Sequence, residues 1–344
     1  MSNKSLVPAA PGSQLFCPLL QHMRNQTSST KVNVGLICIH GLVSGLGILE
    51  NALTLWVVGF RLRRRTVASV WVLNLALSDL LATLTLPLFT FYLKSSNSWE
   101  LGNPLCKIQS SIFFLNMFVS AFLLAAISLD RCLLISKPVW SQNHRSVAAA
   151  WRLCGLGWLW AAVNTFPYFF FRSVTEKYDG KKLCYHNFAL YSSSRASLHT
   201  HCKLWQAGTA ISKLLLAFLI PLVIIAVSYI QISLVLKTRH KRRRKNSSFT
   251  KMVTLVVAVF AVCWAPYHIF CIIEVAADSQ HRSFRLVESG LQIATTAAFL
   301  NPVLNPILYV FSCPNFCMRI QQSVGAVFDA VVEEGGGLLH RNSK

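Results

Sequence analysis

Seven stretches of this chain are predominantly apolar over the length of a membrane crossing. Their approximate limits are 33–59, 67–93, 104–135, 148–171, 205–236, 250–276 and 285–311. A hydrocarbon core about 30 Å thick takes roughly 20 helical residues to cross, and only helices or closed barrels satisfy their backbone in lipid. The stretches lack the alternation of barrel strands. The pattern therefore predicts an all-α membrane protein with a seven-transmembrane helix bundle, whose helices are called span one to span seven.

The spans divide the chain into three predicted parts. These are an N-terminal segment at 1–32, a transmembrane domain at 33–311 and a cytoplasmic part at 312–344. The last part is predicted to contain a short amphipathic helix on the membrane surface from Pro314 to Val332, with apolar residues at Phe316, Ile320, Val324 and Phe328. Cys313 and Cys317 at its start are either palmitoylation sites or ordinary free thiols.

The positions of the basic residues indicate how the bundle is oriented in the membrane. The formal net charge is +21, and the densest basic segments lie between spans, at 61–65, 137–152 and 237–245. These segments precede spans two, four and six, so they share one side, which the positive-inside rule makes cytoplasmic. We therefore expect a multi-pass protein of the plasma membrane with an extracellular N-terminus. Because the charge flanks apolar spans, it does not indicate nucleic-acid binding.

The N-terminal segment has no apolar core of a secretory signal, so span one would act as the insertion signal. Asn3 and Asn25 each begin an Asn-x-Ser/Thr triplet. On an extracellular segment, both triplets are candidate glycosylation sites.

Enzyme motifs are missing from the sequence. We find no Walker loop, no His-Glu-x-x-His pair and no nucleophile elbow, so the sequence predicts no enzyme and no metal or organic cofactor. The two halves of the sequence show no internal repeat of the kind found in many transporters. A channel or transporter is kept as a remote alternative, because it would also be a helical membrane protein.

Lys213 is the most informative charged residue. It lies inside span five, roughly 12 Å from the start of the apolar run at 1.5 Å per residue. An ammonium ion at that depth is costly unless it reaches an interface, lines water or meets an anion. We therefore expect Lys213 to bind an anion inside the bundle.

A second cation and several aromatic residues complete the predicted pocket. Arg172 follows the aromatic run at the top of span four. The aromatic candidates are Phe89, Phe113, Phe114, Tyr185, Trp264, Tyr267 and Phe299. An aromatic pocket with two cations suits a lipid that carries a carboxylate. The other basic residues of the loop at 172–203 either attract such anions or form a solvated charged loop, the interpretation favoured for 177–182.

Several motifs occur in order, each in its own span. Span two contains Asn74-Leu75-Ala76-Leu77-Ser78-Asp79, span three ends on Asp130-Arg131-Cys132, span six contains Cys263-Trp264-Ala265-Pro266, and span seven ends on Asn305-Pro306-Ile307-Leu308-Tyr309. Spans one, four and five contribute Asn51, Trp158 and Pro221. With these motifs the chain resembles the rhodopsin-like G-protein-coupled receptors over nearly its full length. The resemblance implies a heterotrimeric G protein, and arrestin, as cytoplasmic partners.

The resemblance also implies an activation switch and an ion site. The switch residues are Asp130, Arg131, Trp264, Pro266, Asn305, Pro306 and Tyr309, with Arg131 paired to Asp130 at rest. Alternatively, Arg131 reaches lipid phosphates and Trp264 is plain core packing. An allosteric sodium site is implied at Asp79, Ser120, Asn301 and Asn305, although Pro302 replaces a small hydroxyl residue. The alternative is a buried Asp79 hydrogen-bonded to Asn51 and Asn301.

Four cysteines are expected on the oxidising outer side, where disulfides form. A bridge between Cys106 and Cys184 matches the commonest disulfide of this family. Cys17 and Cys202 remain on the same side. We expect them to pair and to hold the N-terminal segment over the pocket.

Longer stretches narrow the resemblance. The segments 98–102, 110–118, 126–132, 142–145, 164–169 and 212–218 resemble the chemoattractant branch of the family, which includes receptors for prostaglandin D2. The resemblance implies prostaglandin D2 or a closely related acidic lipid as ligand, inhibitory G proteins, lowered cyclic AMP and leukocyte chemotaxis. An alternative is a peptide with a C-terminal carboxylate. A biogenic amine is not expected, because amine receptors of this family have an aspartate in span three that faces the pocket, and residues 110–115 contain no acid.

The same resemblance assigns the ligand contacts. Arg172 and Lys213 would bind the carboxylate, and Glu274 would be a polar contact near the entrance. The aromatic residues named above, apart from Phe89, would form the walls. One position departs from the pattern: His186 stands where a second tyrosine is expected after Tyr185. This histidine either weakens a carboxylate hydrogen bond or adds pH dependence.

Overall fold

The computed structural model describes residues 15–27, 32–62, 64–191, 197–238, 243–276 and 281–312. Seven long helices correspond to the predicted spans: Val34–Arg61, Val67–Lys94, Gly102–Ser136, Val147–Phe171, Leu198–Thr238, Arg243–Ala276 and His281–Ser312. Capping side chains fix several starts. Asn33, Thr66 and Ser146 each accept a hydrogen bond from the backbone N–H three residues on, which satisfies a donor that the first helical turn leaves free.

The short elements lie at the two ends of the bundle. A helix at Pro18–Asn25 precedes span one, and a helix at Pro138–His144 follows span three. Strands Arg172–Glu176 and Lys182–His186 form an antiparallel hairpin between spans four and five. Asn3, Cys313, Cys317 and the predicted helix from Pro314 to Val332 lie outside the described residues.

Spans five and six begin about two turns before the apolar pattern does. They start at Leu198 and Arg243, whereas apolarity alone predicts 205 and 250. The added turns are rich in polar and basic residues. A helix satisfies its own backbone hydrogen bonds in water as well as in lipid, so it continues past the apolar boundary that the prediction used.

Most spans can cross a membrane by length and composition. Spans one, two, three and five qualify on their own, as does Ala258–Ala276 of span six. Span four qualifies together with Pro138–His144, from which it is bent by 82°. Span seven is more polar than these spans, since its buried face carries Thr296, Asn301 and Asn305.

Span five contains a π-helical segment, Lys213–Leu219, that the apolar pattern does not indicate. Pro221 lies two residues after its end. Proline lacks a backbone N–H, and its ring crowds the carbonyl four residues earlier. A π-bulge removes this conflict by shifting the hydrogen-bond register. The segment begins at Lys213, so the proline helps to set the orientation of the cation.

Span three forms the centre of the bundle and packs against spans two, four and five. Its Met117, Phe118 and Leu123 are at most 1% exposed. The outer faces of spans one and four are apolar as well: Leu42 and Val163 are 63% and 65% exposed. Large apolar side chains on the outside are expected where lipid is the solvent.

Two glycines of span four differ in what surrounds them. A Cβ at Gly157 would lie 2.4 Å from two ring atoms of Phe122 in span three, whereas a Cβ at Gly155 would meet nothing within 4 Å. We therefore expect Gly157→Ala to destabilise the protein by about 1–3 kcal/mol through overpacking. Gly155→Ala is the matched control, and it should be neutral or stabilising by up to about 1 kcal/mol.

The measurement is the melting temperature of each variant purified in detergent. Gly157→Ala should melt several degrees below the wild type. Equal melting temperatures for the two variants would contradict close packing of spans three and four at this point.

Candidate ligand-binding site

A cavity of about 190 Å³ lies between the spans at the end of the bundle that carries the hairpin. Most residues expected to bind a ligand line it: Phe89, Phe113, Phe114, Arg172, Tyr185, His186, Lys213, Tyr267 and Glu274. Trp264 and Phe299 are not among its lining residues. They lie beneath Phe113, whose ring centroid is 6.0 Å from that of Trp264 and 5.2 Å from that of Phe299.

Further residues of the lining were not predicted: Met23, Gln26, Tyr92, Trp99, Gln109, Ser110, Lys177, Leu183, Cys184, Cys271, Leu291, Gln292 and Thr295. Helical spacing could have found some of them. Cys271 precedes Glu274 by three residues, and Gln109 precedes Phe113 by four, so each pair shares a helix face. Lys177 differs from the expected solvated loop, because it is 5% exposed.

Lys213 projects into the cavity from the start of the π-helical segment and is 6% exposed. Its Nζ donates to Cys271 Sγ at 3.5 Å. It also lies 5.4–5.5 Å from the ring centroids of Phe114, Tyr168 and Tyr267. Cation–π contacts stabilise a partly desolvated ammonium. No carboxylate of the described residues pairs with it.

Arg172 lies on the first strand of the hairpin, directly opposite His186 on the second strand. Its Nη1 donates to His186 Nε2 at 3.1 Å, and its guanidinium lies 5.7 Å from the ring centroid of Tyr185. Burial, followed by the charges of Arg172 and Lys213, lowers the pKa of His186 well below its ordinary value. The neutral ring therefore accepts a hydrogen bond from Arg172 and orients its guanidinium.

Glu274 of span six is bonded to a neutral partner. Tyr185 Oη donates to Glu274 Oε1 at 2.6 Å, and burial raises the pKa of the Tyr185 hydroxyl well above its usual range. This bond ties the hairpin to span six across the cavity. Arg172 and Lys213 have no carboxylate partner within ion-pair distance among the described residues.

Two disulfides secure this end of the bundle, as predicted. Cys106 is bonded to Cys184, which joins span three to the hairpin, and Cys17 is bonded to Cys202 of span five. The second bond holds the helix Pro18–Asn25 near the cavity, which Met23 lines. Asn25, the last residue of that helix, is exposed.

Asp79 is the centre of a buried polar cluster deeper in the bundle. Its carboxylate accepts from Asn116 Nδ2 at 2.9 Å, Ser120 Oγ at 3.3 Å and Asn305 Nδ2 at 2.8 Å. Asn116 was not predicted. The alternative partners, Asn51 and Asn301, do not bond it. Asn51 instead donates to the carbonyl oxygen of Pro302 at 3.0 Å.

The opposite end of the bundle contains Asp130 and Arg131. Asp130 accepts two hydrogen bonds from Arg145, from Nε at 2.7 Å and Nη2 at 2.8 Å. This bond raises the pKa of the Arg145 guanidinium. Asp130 is thus paired with Arg145, whereas the sequence led us to expect a pair with Arg131. The other expected switch residues lie in their spans, with Trp264, Asn305 and Pro306 buried and Pro266 partly buried; the side chain of Tyr309 is outside the described part.

The sequence model of the 7 transmembrane receptor (rhodopsin family) matches residues 50–309. This range covers more than half of the chain, and the described helices agree with it. The chain therefore belongs to the rhodopsin family of seven-transmembrane receptors. Members of this class are embedded in a membrane, receive a ligand and act on a G protein; they are not enzymes.

Individual relatives narrow the comparison. The chain is 44% identical to the mouse protein named Prostaglandin D2 receptor 2, over 100% of this chain and 90% of the relative. It is 45% identical to the rat protein of the same name, over 98% of this chain and 82% of the relative. Human Chemerin-like receptor 1 is 36% identical over 82% of this chain and 75% of its own length.

The lowered pKa of His186 predicts how stability depends on pH. A histidine that stays neutral when folded is protonated more readily in the unfolded chain, whose pKa is about 6.5. The contribution of His186 to the free energy of unfolding is therefore complete above that pH. Below pH 6.5 it decreases by about 1.4 kcal/mol per pH unit. The melting temperature of the wild type should therefore decrease from pH 7.5 to pH 5.5 more than that of His186→Gln. Equal decreases would show that His186 is protonated as readily in the folded protein.

Proposed function

We propose that this protein is a receptor for prostaglandin D2 or a closely related acidic lipid. The observation that carries the proposal is the pair Lys213 and Arg172, two cations without a carboxylate partner among the described residues, in a cavity with aromatic walls. The names of the mouse and rat relatives point to the same ligand.

The geometry suits an amphiphilic acid. Lys213 and Arg172 offer N–H donors to a carboxylate, and hydrogen bonds between charged groups are stronger than neutral ones. Phe113, Phe114 and Tyr267 offer apolar surface for a lipid chain. Lys213 and these three aromatic residues are each at most 6% exposed, so an electrostatic contact with Lys213 is stronger than in bulk water.

We further propose that the cavity opens to the outside of a plasma membrane. Both disulfides lie at the cavity end, and disulfides persist in oxidising compartments. The basic segments between spans belong to the other end, as expected for the cytoplasmic side. In this orientation Asn3 and Asn25 are on the side where glycosylation occurs.

The signalling proposal is supported by the resemblance to chemoattractant receptors and by the contacts at the floor of the cavity. Phe113 contacts both the ligand cavity and Trp264 of span six, so a ligand against Phe113 would act on the span that carries Pro266. We propose coupling to inhibitory G proteins, lowered cyclic AMP and leukocyte chemotaxis, with arrestin as a second cytoplasmic partner.

A peptide with a C-terminal carboxylate is the second candidate. The chain is 33% identical, over 93% of its length, to a rainbow trout (Oncorhynchus mykiss) protein named C3a anaphylatoxin chemotactic receptor. Both candidates need the same cations. A panel of prostanoids and chemoattractant peptides, measured by inhibition of cyclic AMP, separates them: responses to peptides without any response to prostanoids would favour the second.

We also propose that Asp79 takes part in an allosteric sodium site. Sodium prefers oxygen ligands of the carboxylate and carbonyl type. The Asp79 cluster supplies a buried carboxylate and the hydroxyl of Ser120, while the Oδ1 atoms of Asn301 and Asn305 have no hydrogen-bond partner. These residues fit a small hard cation.

Lys213→Ala tests the ligand proposal. A hydrogen bond to a charged group contributes about 1.5–3 kcal/mol, so the affinity for prostaglandin D2 should decrease roughly ten- to a hundredfold. The methyl ester of the ligand should lose little further affinity on this variant. Lys203→Ala is the matched control, because Lys203 is an exposed lysine of the same span that does not line the cavity.

The measurement is competition against labelled prostaglandin D2 on membranes with equal surface expression. Unchanged affinity of the acid for Lys213→Ala would contradict pairing between its carboxylate and this lysine.

Asp79→Asn tests the sodium proposal. Sodium chloride should stabilise the wild type against heat more than an equal concentration of choline chloride does. The variant lacks the charge that attracts the cation, so the two salts should act on it equally. A preference for sodium that survives the substitution would contradict the proposed site.

A further inference from the structure

Cys271 lines the cavity, and the proposed function gives its thiol no role. The residue lies in span six, one turn before Glu274, and is 3% exposed. The two disulfides use other cysteines, so Cys271 is a free thiol.

The neighbour of this thiol is a cation. Lys213 Nζ donates to Cys271 Sγ at 3.5 Å. The ammonium lies next to the sulfur on which negative charge develops when the thiol loses its proton to give the nucleophilic thiolate. Among the described residues, no other free cysteine lines the cavity.

Lys213 gives an independent indication of a ligand. An ammonium has three N–H donors, and the described residues accept only one hydrogen bond from it, through the sulfur. The other two donors belong to a side chain that is 6% exposed and lines the same cavity. A buried charged donor without an acceptor is costly, so this group favours a ligand with electronegative oxygen atoms.

We propose that Cys271 forms a thioether with acidic lipids that carry an α,β-unsaturated ketone. The inference rests on the proposed function, because it assigns the cavity to acidic lipids. In this subset of ligands Arg172 binds the carboxylate, and Lys213, which in the proposed function also pairs with the carboxylate, donates to the ketone oxygen instead. The receptor thus retains these ligands covalently, whereas it releases their saturated analogues.

The reaction is a conjugate addition. Cys271 Sγ attacks the β-carbon, a C–S bond forms, and the π electrons of the C=C bond move towards the ketone to give an enolate. The proton lost by the thiol is returned to the α-carbon, so the adduct contains all atoms of both reactants and needs no oxidant. Lys213 stabilises the negative charge that develops on the ketone oxygen. Binding holds sulfur and alkene together, which raises their effective concentration.

The test uses the full chain in membranes and a 20-carbon fatty acid with a cyclopentenone ring. Its cyclopentanone analogue and its methyl ester are the matched ligands. Mass spectrometry of the protein and its peptides should find one added probe, at Cys271. Cys271→Ser should not be labelled at this position. Cys38→Ser removes an exposed thiol outside the cavity and should label like the wild type.

Two comparisons test the mechanism. Lys213→Ala should slow labelling of Cys271 about tenfold or more, in line with the loss of a hydrogen bond to a charged group. The cyclopentanone acid should block labelling by competition. Equal labelling of Cys271 by acid and ester, unchanged in Lys213→Ala, would overturn the role of the cations. Surface expression of Cys271→Ser, or of Cys271→Ala if the first does not fold, checks that lost label is not lost protein.

The failures of the two proposals are distinguishable. If the cyclopentanone acid binds and signals but the cyclopentenone leaves Cys271 unmodified, the covalent step is overturned and the proposed function stands. If neither acid binds, the proposed function fails and the inference fails with it.

Discussion

A lysine ammonium held among aromatic rings and a thiol sulfur is the constraint around which the cavity is organised. Moving a charged group from water into an apolar interior is costly unless the charge is paired. The described residues offer Lys213 a sulfur and three ring faces but no carboxylate. An anion bound in the cavity would therefore stabilise the Lys213 ammonium further. The apolar and aromatic residues of the wall agree with the acidic lipid that we propose as ligand.

The hairpin supplies the second cation, Arg172, and fixes its position. Arg172 and His186 face each other across the two strands, and the disulfide from Cys184 to span three holds the hairpin in place. Tyr185 donates to Glu274, and no ion pair joins this carboxylate to Arg172 or Lys213 among the described residues, so two cations face one carboxylate. The cavity thus stays electropositive although it contains a carboxylate.

Span three connects this cavity to the polar cluster below it. Phe113 lies at the cavity floor against Trp264, while Asn116 and Ser120, one and two turns further along the same helix, bond Asp79. A positively charged cavity and a negatively charged cluster therefore share one central, tightly packed helix. Because close-packed interiors transmit strain, span three is a direct physical connection between the two sites.

The sequence by itself determined the seven spans, because apolar length and charge placement are local properties of the chain. Together with the resemblance to a known family, it also indicated the two disulfides and nine of the residues that line the cavity, but not the other thirteen. It did not give the early starts of spans five and six, where helices continue into polar sequence. Only the tertiary structure decided the partners: Arg145 for Asp130, Asn116 for Asp79, His186 for Arg172 and Cys271 for Lys213. The physical reason is that hydrogen bonds and cation–π contacts act over a few ångströms. Their partners depend on how the helices and the hairpin pack, and on the π-helical register before Pro221, which no local pattern specifies.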